Sequence, residues 1–394
     1  GDLYVGGLVG ENGLGVWFPS AAGEPGGIAF AVQAEAEEDR TIIRSVATGR
    51  VQGNLAVGGL VGNSTGKVID SYATGAVTGQ NYVGGLVGNG RTIANSYSTG
   101  TVTGSGQYVG GLAGHSDILL RIESSFYRAG AGPDNGLGVP KSDIEMKDPF
   151  TFIDAGWDFI GVWGKSRTGL NSGYMILRTI YGTSYNYYVR LGDARKERAY
   201  GADNPDLSDV RVDGIGAGNV VLEWGEAAAA TADVGTYAFS GPNVLAPVFK
   251  VGTAADYYID YGPGKLTIYP APLTVRAKDV DKLYDGEKYF GGDGVTYEGF
   301  VNDEDVGVLS GTLAYGGDSQ GATDAGTYAI VPSGLSSRNY EITFVPGTLT
   351  IHPAPLKITA NDVEKTYDGQ GFSGGGGVTY EGFVNDEDVG VLSG

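Results

Sequence analysis

Along the first third of the chain, short apolar segments alternate with glycine turns at a fixed interval. Val-Gly-Gly-Leu-Val-Gly occupies Val57–Gly62 and Val83–Gly88, and its variant Val-Gly-Gly-Leu-Ala-Gly occupies Val109–Gly114, a period of 26 residues. An earlier copy, Val5–Gly10, stands 52 residues before Val57. Within a period, Val57 to Thr78 runs as three apolar or β-branched segments divided by Gly-rich turns, the pattern of a three-sided β-coil. A copy this short buries its apolar face only against its neighbours, so the pattern predicts a parallel β-solenoid (β-helix) over residues 1–136. Coils stack at about 4.8 Å, which places residues one period apart above one another.

Leu8, Leu60, Leu86 and Leu112 then form an aliphatic file, and Val46, Tyr72, Tyr97 and Phe126 a mostly aromatic one; both are expected to be core. Glu11, Asn63, Asn89 and His115 form a polar file at the corner after the hexapeptide. Arg44, Asp70, Asn95 and Glu123 form another beside the aromatic one. The paired glycines supply either positive φ or room for a neighbouring backbone. A phosphate-cradle role is disfavoured, because nothing predicts the helix that should follow. Residues 14–39 are an inserted extra period bearing Trp17, Phe18 and an acidic run from Glu35 to Asp39. Insertions of this kind form loops that decorate a solenoid or carry recognition.

Residues 137–185 are predicted to close the solenoid. Ser142 and Glu145 spell a capping box for a short helix ending near Pro149 or Phe150. Phe152, Trp157, Phe159 and Trp163 follow, large apolar groups suited to covering an open coil end. No comparable segment precedes Val5, and the chain starts without Met or a signal peptide, so an N-terminal continuation is expected.

A second repeat, of period 83, fills the rest. Ala271-Pro-Leu273 recurs at Ala354-Pro-Leu356, Tyr284-Asp-Gly286 at Tyr367-Asp-Gly369, and Val295–Gly311 letter for letter at Val378–Gly394. A divergent copy precedes them, with Tyr200-Gly201 in place of Tyr-Asp-Gly. Alternating positions such as Leu273, Val275 and Ala277 are strand-like. The expected units are a β module at 186–270, another at 271–353, and the first half of a third at 354–394, each β-sandwich or β-grasp-like and joined by stiff Pro-Ala-Pro segments. The half module is completed either by continuing chain or by a strand from a neighbouring molecule. The fold class is thus all-β.

Composition narrows the function classes. A formal charge of −20 argues against nucleic acid and anionic membranes as partners. No apolar run is long enough for a membrane-spanning helix. With no cysteine, disulfides and thiolate chemistry are excluded. The two histidines, His115 and His352, lie too far apart in sequence to suggest a metal pair or triad. Acidic clusters at Asp279, Asp281 and Asp285, and at Asp303 and Asp305, are candidate calcium ligands, with exposed turn capping as the alternative. No other cofactor is indicated. Arg44, Asp70 and Asn95, with Trp17 and Phe18, are the candidate ligand-binding surface. A carbohydrate-active solenoid would need paired carboxylates on one face, with Asp70 and Glu123 the nearest candidates.

VGGLVG followed by SYATG at Val57–Gly75, and again by Ser-Tyr-Ser-Thr-Gly at Val83–Gly100, resembles the GLUG motif. Trp157 to Trp163 resembles the piece that often follows such repeats. The Tyr-Gly and Tyr-Asp-Gly modules, ending in Gly-x-Leu-Thr-Ile-x-Pro-Ala-Pro-Leu, are similar to the MBG and YDG-type modules of filamentous-haemagglutinin-like adhesins. That resemblance implies a non-enzymatic segment of a secreted or surface-attached bacterial adhesin. Its expected partners are a host or neighbouring-cell protein or glycan, or copies of itself, in adhesion, aggregation or biofilm. The alternatives are a filament subunit completed by strand addition and a carbohydrate-active enzyme. GLUG repeats also accompany surface metallopeptidases, but His-Glu-x-x-His is missing from this sequence.

Overall fold

The computed structural model describes residues 3–7, 9–12, 29–34, 40–182 and 184–393. It is all-β apart from short helical segments. Two compact units emerge. One holds Gly1–Arg190, Val212–Val220 and Phe249–Asp260, and the other Leu191–Arg211, Val221–Val248 and Tyr261–Gly394. The strands of 186–270 are therefore divided between the two.

In the first unit, successive coils pair in parallel one period apart. Val57 lies beside Val83 and Val83 beside Val109, while Tyr72 lies beside Tyr97 and Tyr97 beside Phe126. Leu60, Leu86 and Leu112 are fully buried in one apolar file. Val57, Val77, Val83 and Val102 fill a second. The coil beginning at Leu55 has five short strands rather than three: Leu55–Gly58, Val61–Ser64, Lys67–Ile69, Tyr72–Ala73 and Val77–Gly79. Left-handed residues break its faces, with φ of 49° at both Ala56 and Asp70.

Those corners resolve the role of the hexapeptide glycines. Gly58, Gly59, Gly84, Gly85 and Gly88 all avoid positive φ. A Cβ on Gly59 would lie 2.1 Å from the Gly85 carbonyl oxygen, and one on Gly85 would lie 2.2 Å from that of Gly111. The glycines are there because neighbouring coils approach too closely for a side chain. A serine ladder runs beside the aromatic file. The Ser45 N–H donates to Ser71 Oγ, Ser71 N–H to Ser96 Oγ and Ser96 N–H to Ser125 Oγ, at 3.0–3.2 Å. Each of these buried bonds contributes about 1 kcal/mol.

The closing segment departs from expectation. The capping box is present, with Ser142 Oγ accepting from Glu145 N–H and Glu145 Oε2 from Ser142 N–H, and Ser142 holds the Glu145 carboxyl down to about 2. The helix Asp143–Lys147 hands over at Asp148 to a second, Pro149–Ile153. The large aromatics do not plug the coil end. They lie along its flank, because the file of Val46, Tyr72, Tyr97 and Phe126 shares one core with Phe152, Trp157, Phe159 and Trp163. The end itself is met by Val139–Lys141, which pairs with Phe126–Arg128, and by Asn135, whose amide donates to the carbonyls of Ala113 and Gly114. The file's outward-pointing rings require that lateral cover. The sheet of Val212–Ile215, Tyr187–Leu191 and Tyr257–Asp260 extends the same core through Tyr188.

In the second unit, residues 271–353 form two small sheets. One orders Val295–Glu298, Ala271–Ala277 and Tyr340–Val345; the other orders Val280–Leu283, Gly347–His352, Gly326–Ser336 and Ser310–Gly316. Ala277, Ile330, Leu349 and Ile351 are the core between them. In the next copy Lys357–Ala360 pairs antiparallel with Val378–Glu381, repeating the pairing of Ala271–Ala277 with Val295–Glu298.

Candidate functional site

Of the candidate surface at Arg44, Asp70 and Asn95, Asp70 is covered, while Arg44 and Asn95 are half-buried. Asp70 is buried and its Oδ1 accepts from Trp163 Nε1 at 3.3 Å. Burial lifts its carboxyl above the usual range, against the opposing pull of Trp163, Asn95 and the Arg44 guanidinium. Arg44 Nε is buried with no hydrogen-bond partner among the described residues. All three residues have positive φ, at 49°, 49° and 45°. They make a left-handed corner of the coil beside the closing segment. Glu123 is not in this file. The pairing of Ala94 with Glu123 puts Ser124, at φ 43°, beside Asn95. A register shift between Gly90 and Thr92 accommodates the longer last coil, and the displaced Glu123 is exposed, facing Arg121 at 3.7 Å. Asp70 and Glu123 therefore form no open carboxylate pair. Trp17 and Phe18 lie outside the described residues.

The polar file at the other corner stacks in register, Glu11 with Asn63, Asn63 with Asn89 and Asn89 with His115. Asn89 Nδ2 donates to Asn63 Oδ1 at 3.0 Å, and His115 Nδ1 lies 3.1 Å from Asn89 Oδ1.

The candidate calcium ligands are not brought together. Asp279 Oδ1 accepts from Thr348 N–H at 2.7 Å, Asp281 meets His352 Nε2 at 3.0 Å, and Asp285 pairs with Lys282 at 2.7 Å. Asp305 caps Gly307, and Asp303 occupies a left-handed turn at φ 57°. Among the described residues, no three His, Cys, Asp or Glu side chains converge on a common point.

What the acidic loops do build is a joint between modules. Tyr200 Oη donates to Glu304 Oε1 at 2.8 Å, and Tyr340 Oη donates to Glu304 Oε2 at 2.5 Å. Beside them, Asp233 accepts from Arg338 at 3.0 Å and from Asn339 at 2.9 Å. The next joint repeats the device, with Tyr284 Oη donating to Glu387 Oε1. Burial and its bond to Glu304 push the Tyr340 hydroxyl up to about 12. In sequence the Tyr200-Gly201 segment and the Asn302-Asp303-Glu304-Asp305 loop stand far apart, and only their recurrence one module on, at Tyr284 and at Asn385–Asp388, signals that they belong together.

Residues 53–78 and 79–103 match the GLUG motif, and residues 273–350 match the MBG domain (YGX type). Two GLUG motifs and an MBG domain are present. Both are structural, non-catalytic domain families and fit surface adhesin-like proteins. The GLUG motifs cover two of the stacked coils, and the MBG match covers the two-sheet module with its Glu304 joint. A protein of Evansella cellulosilytica, provisionally named a Gly-rich membrane protein, is 29% identical over 204 residues, 48% of this chain and 20% of the relative. The chain thus corresponds to about a fifth of that relative's length. No helix among the described residues is long and apolar enough to cross a membrane.

Proposed function

We propose that this chain is a structural, adhesive segment of a large extracellular or surface-attached bacterial protein. The observation that carries this reading is the repeated joint, Tyr200 with Glu304 and Tyr284 with Glu387. Modules that hold their successors by the same pair of side chains, one module after another, are suited to serial extension. The solenoid supplies long ladders of identical positions, so that weak contacts multiply into avidity. The surface setting of GLUG and MBG domains, and the membrane-protein name of the Evansella cellulosilytica relative, support the same assignment. The partners under this reading are a cell-surface protein or glycan, or further copies of the chain. The purified 394-residue chain, immobilised on beads, should retain bacterial or host cells or cause the beads to aggregate. Beads that do neither would refute it.

A further inference from the structure

In the module 271–353 the first strands of the chain lie beside the last. Ala271–Ala277 pairs in parallel with Tyr340–Val345, Ala271 opposite Tyr340 and Arg276 opposite Val345. Val280–Leu283 pairs in parallel with Gly347–His352, Val280 opposite Leu349 and Leu283 opposite His352. Every one of these partners stands 69 residues further on, so the ladder keeps one register as it passes from the first small sheet to the second. Backbone bonds carry it to both ends: Ala271 N–H donates to the Asn339 carbonyl at 2.9 Å, and Tyr284 N–H to that of His352 at 2.8 Å. Earlier in the same unit, Arg195–Ala199 pairs in parallel with Lys265–Tyr269. Only Pro270 separates the end of that strand at Tyr269 from the next first strand at Ala271.

Parallel pairing of first and last strands fixes how tension meets the module. A chain pulled from its two ends applies force at Ala271 and at His352, which stand at opposite ends of the ladder. The force runs along the strands, and the bonds between them must yield together. Partners pulled apart across the ladder would instead release their bonds one after another. Sliding also disturbs the core, because Leu273, Val275, Leu349 and Ile351 are buried side chains of the ladder strands. A slip of one residue turns each of them to the wrong face. The two strands that receive the load are flanked on their other sides as well, Ala271–Ala277 by Val295–Glu298 and Gly347–His352 by Gly326–Ser336. The arrangement costs the closure of a long loop and uses the slightly weaker parallel geometry. What it gains is resistance to stretching.

We infer that the module 271–353 is a load-bearing clamp, which stays folded when the chain is stretched between its ends. Tension leaves one parallel ladder at Tyr269 and enters the next at Ala271 through a single proline. This inference deepens the adhesive reading and rests on it, since a segment that holds a cell in place is stretched by whatever pulls the cell away.

The test pulls the same module in two directions. The chain has no cysteine, so paired substitutions give unique attachment points for single-molecule force spectroscopy on the whole chain. Pro272, Leu283, Glu341 and His352 are all exposed. Pro272→Cys with His352→Cys loads the ladder along its length. Leu283→Cys with His352→Cys, and Pro272→Cys with Glu341→Cys, each join register partners and peel the ladder from one end. The event is recognised by the length released, about 3.3–3.6 Å for each residue between the cysteines. Forced unfolding reads the unfolding barrier in the direction pulled rather than the equilibrium stability. Pulling along the ladder should need several times the force of either peeling pair, and the two peeling pairs guard against one of them weakening the fold. Equal forces in the two directions overturn the inference. If the forces are equal while beads carrying the chain retain cells, the clamp falls and the adhesive reading stands. If the lengthwise force is higher yet the beads neither retain cells nor aggregate, the adhesive reading falls and the clamp stands.

Discussion

At the scale of single residues, Asp70 shows how a ladder of side chains can look like a surface and be a buried corner. Its charge suggested display, yet Trp163 covers it, and burial holds its carboxyl above the ordinary range. The sign follows from proton linkage. The folded protein binds this proton more readily than the unfolded chain, so Asp70's contribution to stability improves as pH falls through its folded value, and the ionised group is a cost at neutral pH. Asn95 occupies the equivalent position one coil on with the same left-handed φ. Asp70→Asn should therefore raise Tm at pH 7 while keeping an Oδ1 acceptor for Trp163. The gain over wild type should shrink towards pH 4. A lowered Tm at pH 7 would mean that the pull of Arg44 and Trp163 outweighs burial. No sequence signal set Asp70 apart from a solvated charge, because the residue that covers it lies 93 positions away.

At the scale of the elements, the 26-residue period made the stacked coils, their register and the buried Leu60, Leu86 and Leu112 legible, since parallel stacking converts sequence spacing directly into contact. The period left the hexapeptide glycines with two possible roles, and the structure assigns close approach. Gly85→Ala should accordingly be costly. Its Cβ would meet the Gly111 carbonyl oxygen at 2.2 Å and Ser98 Oγ at 2.8 Å, and the first of these is backbone that cannot swing away. The expected loss is about 1–3 kcal/mol in the urea unfolding of the first unit. Gly218→Ala, where a Cβ meets nothing within 4 Å and φ is unexceptional, serves as the control and should be neutral. Equal midpoints for the two variants would show that the coils can move apart freely. What periodicity could not reveal is where the pattern breaks. The long strand Ala113–Glu123 shifts Glu123 out of its expected file. Aromatics assigned to the coil end instead cover its flank, a choice set by which rings the coil points outward. Ser45, Ser71, Ser96 and Ser125 each precede a member of the file of Val46, Tyr72, Tyr97 and Phe126, but only the 3.0–3.2 Å bonds give them a role.

At the scale of the whole molecule, the 83-residue repeat was fully legible, but the joint it produces was not, because its partners are separated by 104 residues at one site and 103 at the other. Within the second unit, Glu304 accepts from two tyrosines and so ties one module's Tyr-Gly segment to the next module's Asn-Asp-Glu-Asp loop and to Tyr340 in the strand Tyr340–Val345. That loop has two left-handed residues, Asn302 and Asp303, and carries few apolar anchors of its own. Its order should depend on the joint. Tyr200→Phe and Glu304→Gln should each speed proteolytic cleavage between Val301 and Val306 while leaving the core around Leu349 and Ile351 protected from hydrogen exchange. The double variant should cost less than the sum of the singles, with a coupling of about 1 kcal/mol, since each single change removes the same charge-assisted bond. The twin loop at Asn385–Asp388 keeps Tyr284 and Glu387 in these variants and is an internal reference, so its cleavage rate should not change. Strict additivity, or equal acceleration at both loops, would make the Tyr200–Glu304 contact incidental and remove the repeated joint as the basis for reading these modules as a serial spacer.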